Sequence, residues 1–459
     1  MERSRRRRRL LGGALVGGLA GIVTGAVIAT AAPQVQKQGE PDRDVGSIID
    51  AAHVPPLLTV PGEPVTLRYA IVCPGGGAEP FGEACNGSGD VYIRPGSNGA
   101  FTRLTLRRTN DAAEGSYVAE VPKEIASSPH GFTYYAVLRN DSTGANITLP
   151  AGGADAPQRS LPLDRAVTVR LDAHVFGTTR KADERVVDAG WGAGIGQVGL
   201  GGSFGGLRIG PSSFDVAADG TVVLLDGVNS RLARWSHGVA SAVHAELNGA
   251  VDDMALASDG SAYVLDGRGR TPLLRHLGLD GRILATDPIV ERTWSQLRIG
   301  PDGPIVQQEP SEQWLRVAPG LTREDKVRSG SAGRTFADGS EVVVLRTGVG
   351  EARMARIVGG RIRGAWRILS ETPLGEVQVA QAVGKRFVVV LKTYTDSEDE
   401  FVVLILDGHG VAKEFSVQSS EWAASAPLAR FRLVGGSLYH LGSTASGAFV
   451  DRYQLEVSR

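Results

Sequence analysis

Cysteine, methionine and histidine are scarce in this 459-residue sequence, at two, three and eight copies. Two thiols, Cys73 and Cys85, cannot build a structural zinc site, which takes four ligands, and no CxxC pair occurs. His237, His276, His409 and His440 share no common spacing, and there is no H-E-x-x-H, no G-x-S-x-G elbow and no P-loop. The sequence signatures of zinc proteases, serine hydrolases and P-loop nucleotidases are therefore missing. Aromatics make up only 6% of residues, and no basic patch is interleaved with them, which removes nucleic acid as a partner class. Long apolar runs are lacking too, with one exception at the N-terminus.

That exception begins with five arginines, Arg5 to Arg9, followed by an uncharged stretch from Leu10 to Ala29 and the small-x-small pattern Ala29-Thr30-Ala31. Residues 1–31 read as a signal peptide, with Sec and twin-arginine export both compatible. The alternative is a signal anchor, since about 20 uncharged residues can span a bilayer; only then is the membrane a partner. Either way the expected location is extracytoplasmic, meaning secreted, periplasmic or cell-surface. Without residues 1–31 the chain carries 43 basic and 49 acidic residues, a net charge of −6, which attracts no polyanion. In an oxidising compartment two cysteines favour a disulfide between Cys73 and Cys85, with two free thiols as the alternative.

What is abundant is glycine, at 61 copies, with 23 prolines: turns are frequent. Residues 32–58 are polar and Pro-punctuated, a linker. From Val65 the pattern alternates, with Val65, Leu67, Tyr69, Ile71 and Cys73 on one strand face. Similar runs to Leu149 predict a β-sandwich over 59–149. The pieces YVAEVP and GFTYYAVLRND resemble immunoglobulin-like or fibronectin type III modules of exported bacterial proteins. A second Pro/Gly-rich stretch, 150–165, is expected to act as a tether between domains that fold separately.

The remainder, 166–459, is a repeat. Phe214 and Val216 precede the turn Asp219-Gly220, a run from Val222 to Leu225 and Asp226; the order returns with Met254, Asp259-Gly260, Ala262 to Leu265 and Asp266. Weaker copies turn at Gly303, Gly339, Gly384 and Gly436, a period of roughly 40 residues typical of propeller blades. The expected fold class is all-β: an immunoglobulin-like β-sandwich followed by a six-bladed β-propeller. Residues 167–172 (AVTVRLDAHVF, 166–176) are expected to close the ring by pairing with the last blade.

The stretch WGAGIGQVGL followed by PSSFDVAADGTVVLLDGVNSRLARW resembles the NHL repeat. The matching positions are Gly196, Gln197, Pro211, Phe214, Val216, Gly220, Asp226, Asn229 and Arg231, with Gly260 and Asp266 in the second unit. Gly194-Ile195-Gly196-Gln197-Val198-Gly199 also matches G-x-G-x-x-G, but GGSFGGLRIGP follows, which cannot start a helix, so it reads as an inter-blade connection. Asp226 and Asp266 read as acceptors for the turn that follows each, with a place at the propeller mouth as the alternative. His244 and Glu246 share a strand face and read as an exposed outer strand, with metal or acid–base work as the rival. Asp396 to Glu400 reads as a solvated hairpin tip.

Asp215 departs from the NHL pattern, which has a small apolar residue there, as Ala255 does in the second unit. A carboxylate on an inner strand needs a partner, so Asp215 is the candidate channel or ligand residue. The reading favours an exported, non-catalytic binding or scaffolding protein without cofactor or metal, acting through propeller rim and channel on a protein or a cell-envelope glycan. The competing class is a metal-dependent propeller enzyme, since similar propellers include lactone hydrolases and lyases of cyclic peptides. Three or more carboxylate, Asn or His side chains converging in the channel would favour the enzyme.

Overall fold

The computed structural model describes residues 50–73, 83–84, 86–109, 116–202, 206–247, 252–267, 272–289, 294–308, 312–426 and 428–456. The signal and the Cys73–Cys85 pairing lie outside the described residues. Among those described, no helix is long and apolar enough to cross a membrane.

The alternating N-terminal runs form two packed sheets. One orders Asp50–Ala52, Thr66–Cys73, Ser116–Glu120 and Arg107–Arg108; the other orders Leu58–Thr59, Gln158–Pro162, Phe132–Asn140, Gly87–Pro95 and Thr102–Thr105. Leu67, Ile71, Val91, Ile93, Phe132 and Tyr134 meet between them with 2% or less of their surface exposed, so the period-2 pattern maps onto one core. The sandwich is wider than 59–149, because strands at Asp50, Leu58 and Gln158 come from stretches read as linkers.

Six further sheets make the propeller. Blade 1 runs Ser213–Val216, Val222–Asp226, Arg231–Ser236 and Val239–His244; blade 2 runs Asp253–Leu256, Ala262–Asp266, Leu273–Leu277 and Ile283–Pro288. Blade 3 has three strands, Trp294–Gly300, Gly303–Gln308 and Trp314–Arg316. Blades 4, 5 and 6 begin at Arg334–Thr335, Leu374–Val383 and Phe431–Val434. The first two strands of blades 1 and 2 join through Asp-Gly turns. Gly220 sits at φ +87°, where a Cβ would strain the backbone, and Asp219 Oδ1 accepts the Thr221 N–H at 2.9 Å. The second strands are buried on both faces, which explains their continuous apolar runs. Val222 and Leu224 pack toward blade 6 (Tyr439, Leu441, Val450), whereas Val223 and Leu225 pack toward blade 2 (Met254, Val264).

Two expectations are corrected here. Val167–Leu171 does not close the ring; it pairs in parallel with Arg361–Ser370 on the outside of blade 4, Val167 opposite Trp366. Closure falls to Glu184–Trp191, antiparallel to Gly447–Gln454, with Val187 and Ala189 buried against Leu441 and Val450. Both segments alternate, so periodicity alone did not distinguish them.

The second correction concerns 150–165. Gln158–Pro162 is a sandwich strand, hydrogen-bonded to Phe132–Asn140 and Leu58–Thr59. Leu57, Leu58, Leu161 and Leu163 share one buried cluster with Val343, Leu345, Ala355 and Ile357 of blade 4. Each leucine fully removed from water contributes about 2 kcal/mol. Around this patch Arg353 donates to the Leu58 carbonyl (3.2 Å) and to Glu63 (2.7 Å), and Glu63 also pairs with Arg367 at 3.1 Å. The sandwich is docked on blade 4 by an apolar patch with an ionic rim, and 150–165 is no free tether.

Candidate functional site

The first strand of each blade lines the propeller axis, and charged side chains gather there. Asp215 in blade 1, Asp253 in blade 2, Arg298 in blade 3, Arg334 in blade 4 and Arg432 in blade 6 all stand on first strands. Asp253, Arg298 and Arg432 are 2%, 5% and 6% exposed.

Asp253 is the hub. Its Oδ1 accepts from Ser213 Oγ (2.5 Å), its own following Met254 N–H (2.8 Å) and Arg432 Nη2 (3.1 Å). Its Oδ2 accepts the Leu297 N–H and Arg298 Nη1, each at 2.8 Å. Burial pushes this carboxyl up, but Arg298, Arg432 and the bonds from Leu297 and Ser213 outweigh that and hold it below the usual carboxylate range.

Asp215 repeats the motif one blade earlier. Oδ1 accepts the Val216 N–H and Oδ2 accepts the Leu256 N–H of blade 2, both at 2.8 Å, with Arg432 Nε 3.6 Å away. Each aspartate thus bonds the backbone of its own strand and that of the next blade, joining neighbouring inner strands around the axis. Both carboxylates are occupied by N–H groups and guanidinium groups, and three cations surround them. That donor set does not fit a metal ion, and among the described residues no group of three or more His, Cys, Asp or Glu could hold one.

The arginines are less well served than the aspartates. Arg298 bonds Asp253 and the carbonyls of Leu297 (2.6 Å) and Leu428 (2.7 Å). Arg432 Nε is buried without a hydrogen-bond acceptor. Arg334 has no hydrogen-bond or ion-pair partner among the described residues, its buried Nε included, and rests 4.5 Å above the Phe336 ring. Burial first, and repulsion by Arg298 and Arg432 second, push its guanidinium down to about 9. At neutral pH it still carries its charge. Three arginines against two aspartates leave one net positive charge in a site with unmet donors.

The residues with NHL-like spacing build a different cluster. Asp226, fully buried, accepts from Gly199 N–H (3.0 Å), Asn229 Nδ2 (2.8 Å) and Arg231 Nε (2.8 Å). Arg231 then donates to the carbonyls of Ala193 (2.7 Å) and Gln197 (2.8 Å), while Gln197 Oε1 accepts the Gly194 N–H at 2.9 Å. Gly196 turns this connection at φ +78°. Pro211 is buried just ahead of blade 1, Gly260 turns blade 2 at φ +83°, and Asp266 pairs with Arg275 at 3.0 Å. This network holds the Gly-rich connection against blade 1. His244 and Glu246 are exposed. Glu400, read as part of a solvated tip, is instead 5% exposed and bonds His174 at 2.9 Å.

Asp253, Arg298, Arg334 and Arg432 were not singled out in the sequence, yet a signal exists for two of them. Asp215, Arg298 and Arg334 each precede a turn glycine, Gly220, Gly303 and Gly339, by five residues. Asp253 and Arg432 sit at other offsets and escape that rule.

No family model matches the chain, and no curated protein matches it. Among solved structures, hydrazine synthase of Kuenenia stuttgartiensis is 15% identical, covering 59% of this chain and 80% of its own, with a TM-score of 0.33. Virginiamycin B lyase from Staphylococcus aureus is 8% identical over 54% and 85% of the two chains (TM-score 0.29). A protein from Lactobacillus plantarum is 9% identical over 79% and 91% (TM-score 0.34). Likeness at this level says nothing of activity, and the propeller is read from the chain's own six sheets.

Proposed function

We propose that this chain is an exported, non-catalytic binding protein whose propeller channel takes a carboxylate-bearing partner, a protein or an acidic cell-envelope glycan. The NHL-like spacing and the immunoglobulin-like character of the sandwich belong to this reading. The observation that carries it is Arg334: a cation on an inner strand, beside Arg298 and Arg432, with no hydrogen-bond or ion-pair partner among the described residues. Such a charge is costly to hold unless something meets it. One excess positive charge suits a monoanion, and a guanidinium fork suits the two oxygens of a carboxylate.

The test is Arg334→Met in the full-length chain, with thermal melting in rising acetate and in chloride at matched ionic strength. In the parent, acetate at 100 times its Kd stabilises by about 2.7 kcal/mol. The variant melts higher than the parent without ligand, because an unpaired charge has gone, and no longer responds to acetate. A variant that melts lower and keeps the acetate response would assign Arg334 a structural role and overturn the reading.

A further inference from the structure

A second cavity lies at the seam of the ring. Before entering the closing strand, the chain crosses blade 5, where Arg180 N–H donates to the Ser416 carbonyl (2.8 Å), and reaches blade 6, where Asp183 N–H donates to the Arg452 carbonyl (2.9 Å). Between this crossing segment, the end of Val411–Gln418 and the outer strands of blade 6 is a cavity of about 370 Å³. That is near the lower end of small-molecule sites, room for one sugar-sized ring.

Its lining has unmet hydrogen-bonding capacity of both kinds. Arg180 is held by Asp183 Oδ2 (2.7 Å) and the Gln454 carbonyl (3.3 Å) through Nη2, leaving a buried Nη1 with no acceptor. Lys181 is exposed and has no ion-pair partner among the described residues. Arg185 is fully engaged by Asp451, at 2.8 and 3.1 Å, and lies 4.0 Å above the Phe449 ring. Arg180 Nη1 and the Lys181 ammonium are therefore left to meet an anion, Arg180 Nη2 being already held by Asp183.

The floor offers the opposite chemistry. His440 is 1% exposed, stacked on Phe431 at 4.5 Å, and its Nε2 has no hydrogen-bond partner among the described residues. Burial, followed by the charge of Arg430, lowers this ring to about 3, so it is neutral at physiological pH. Its other nitrogen bonds the Ser419 backbone in a way that raises the ring's proton affinity, a bond in which the ring donates. Nε2 is then left as a lone acceptor. A fully ionised inorganic anion such as sulfate has no proton to give it, whereas a hydroxyl does.

We infer that this seam cavity binds a small hydroxylated anion, its acid group held by Arg180 and Lys181 and a hydroxyl donating to His440 Nε2. Sugar acids and sugar phosphates are the two sources of that chemistry. Because one wall precedes the closing strand and the other belongs to the last blade, the ligand ties the two ends of the propeller together. Occupancy therefore stabilises ring closure. The site is independent of the inner-strand arginines.

Thermal melting and calorimetric titration of the full-length chain with glucuronate, glucose 6-phosphate, glucose and sulfate test this. Glucuronate, glucose 6-phosphate or both raise the melting temperature and bind; which of them does so identifies the source. Glucose has no effect, and sulfate binds at least tenfold more weakly than the better sugar anion. Lys181→Ala, a surface change, weakens that binding tenfold or more. His440→Phe keeps the ring stack and brings the sugar anion down to the affinity of sulfate. Arg334→Met removes carboxylate binding in the channel, and the sugar-anion response that Lys181→Ala weakens persists in it, which separates the cavity from the channel reading. Absence of binding by both sugar anions, equal binding of sulfate by the parent, or an unaltered response in Lys181→Ala would overturn the inference.

Discussion

Replacing Asp253 by Asn tests the idea that the inner strands are joined through charge. The amide keeps the shape of the carboxylate but removes the charge that Arg298 Nη1 and Arg432 Nη2 share, at 2.8 and 3.1 Å. It also offers one acceptor oxygen where the carboxylate had two, each already bonded to a backbone N–H, from Met254 and Leu297. With both arginines at 6% exposure or less, water cannot take over. Breaking a buried ion pair from one side costs about 3–5 kcal/mol, and here two cations lose one anion, so the expected loss lies toward the upper end. Chemical denaturation followed by tryptophan fluorescence measures it, and Asp253→Asn combined with Arg298→Met recovers part of it by removing one stranded charge. The pH dependence has a definite sign. Because the folded-state value of Asp253 is depressed below 3.8, its contribution is present above that pH and is lost as pH falls through the lower folded value. The variant lacks this acid-sensitive component. A loss below about 1 kcal/mol at pH 7, or an acid profile identical to the parent's, would refute the reasoning.

Two other outcomes follow from the fold. Deleting 184–191 opens the ring and leaves Gly447–Gln454 with a bare edge, so the protein aggregates or melts far lower. Deleting 167–171 removes a cover strand with one fully buried side chain, Val169, and costs much less; size-exclusion chromatography and melting curves compare the two. In the sandwich, His53 bonds the Arg68 carbonyl and the Tyr134 hydroxyl, each at 2.7 Å, and burial lowers it to about 4. The unfolded chain takes up that proton near 6.5, so stability falls as pH drops from 6.5 toward 4, by about 3 kcal/mol. His53→Phe, which keeps the stack on Tyr69, reduces the slope in that window, read from denaturation midpoints against pH. An unchanged slope would mean that His53 is not held neutral by the fold.

What could be read from the sequence is what local chemistry controls. A strand's period, an Asp-Gly turn and the roughly 40-residue return of both are properties of neighbouring residues, so the sandwich, the blade count and the turn positions were visible without coordinates. The partners of Asp226 were visible for the same reason, because Asn229 and Arg231 lie within five residues of it. Tertiary structure alone decided which edge each strand found. Val167–Leu171 and Glu184–Trp191 both alternate, and only the ring geometry places one on blade 4 and the other on blade 6. The docking of the sandwich was hidden likewise, since Leu57 and Leu161 meet Val343 across long stretches of chain. The channel charges fall between these cases. Arg298 and Arg334 keep the five-residue offset of Asp215 from a turn glycine, whereas Asp253 and Arg432 stand at other offsets from theirs. Their mutual contact depends on closing six blades around one axis, a constraint that no local sequence pattern records.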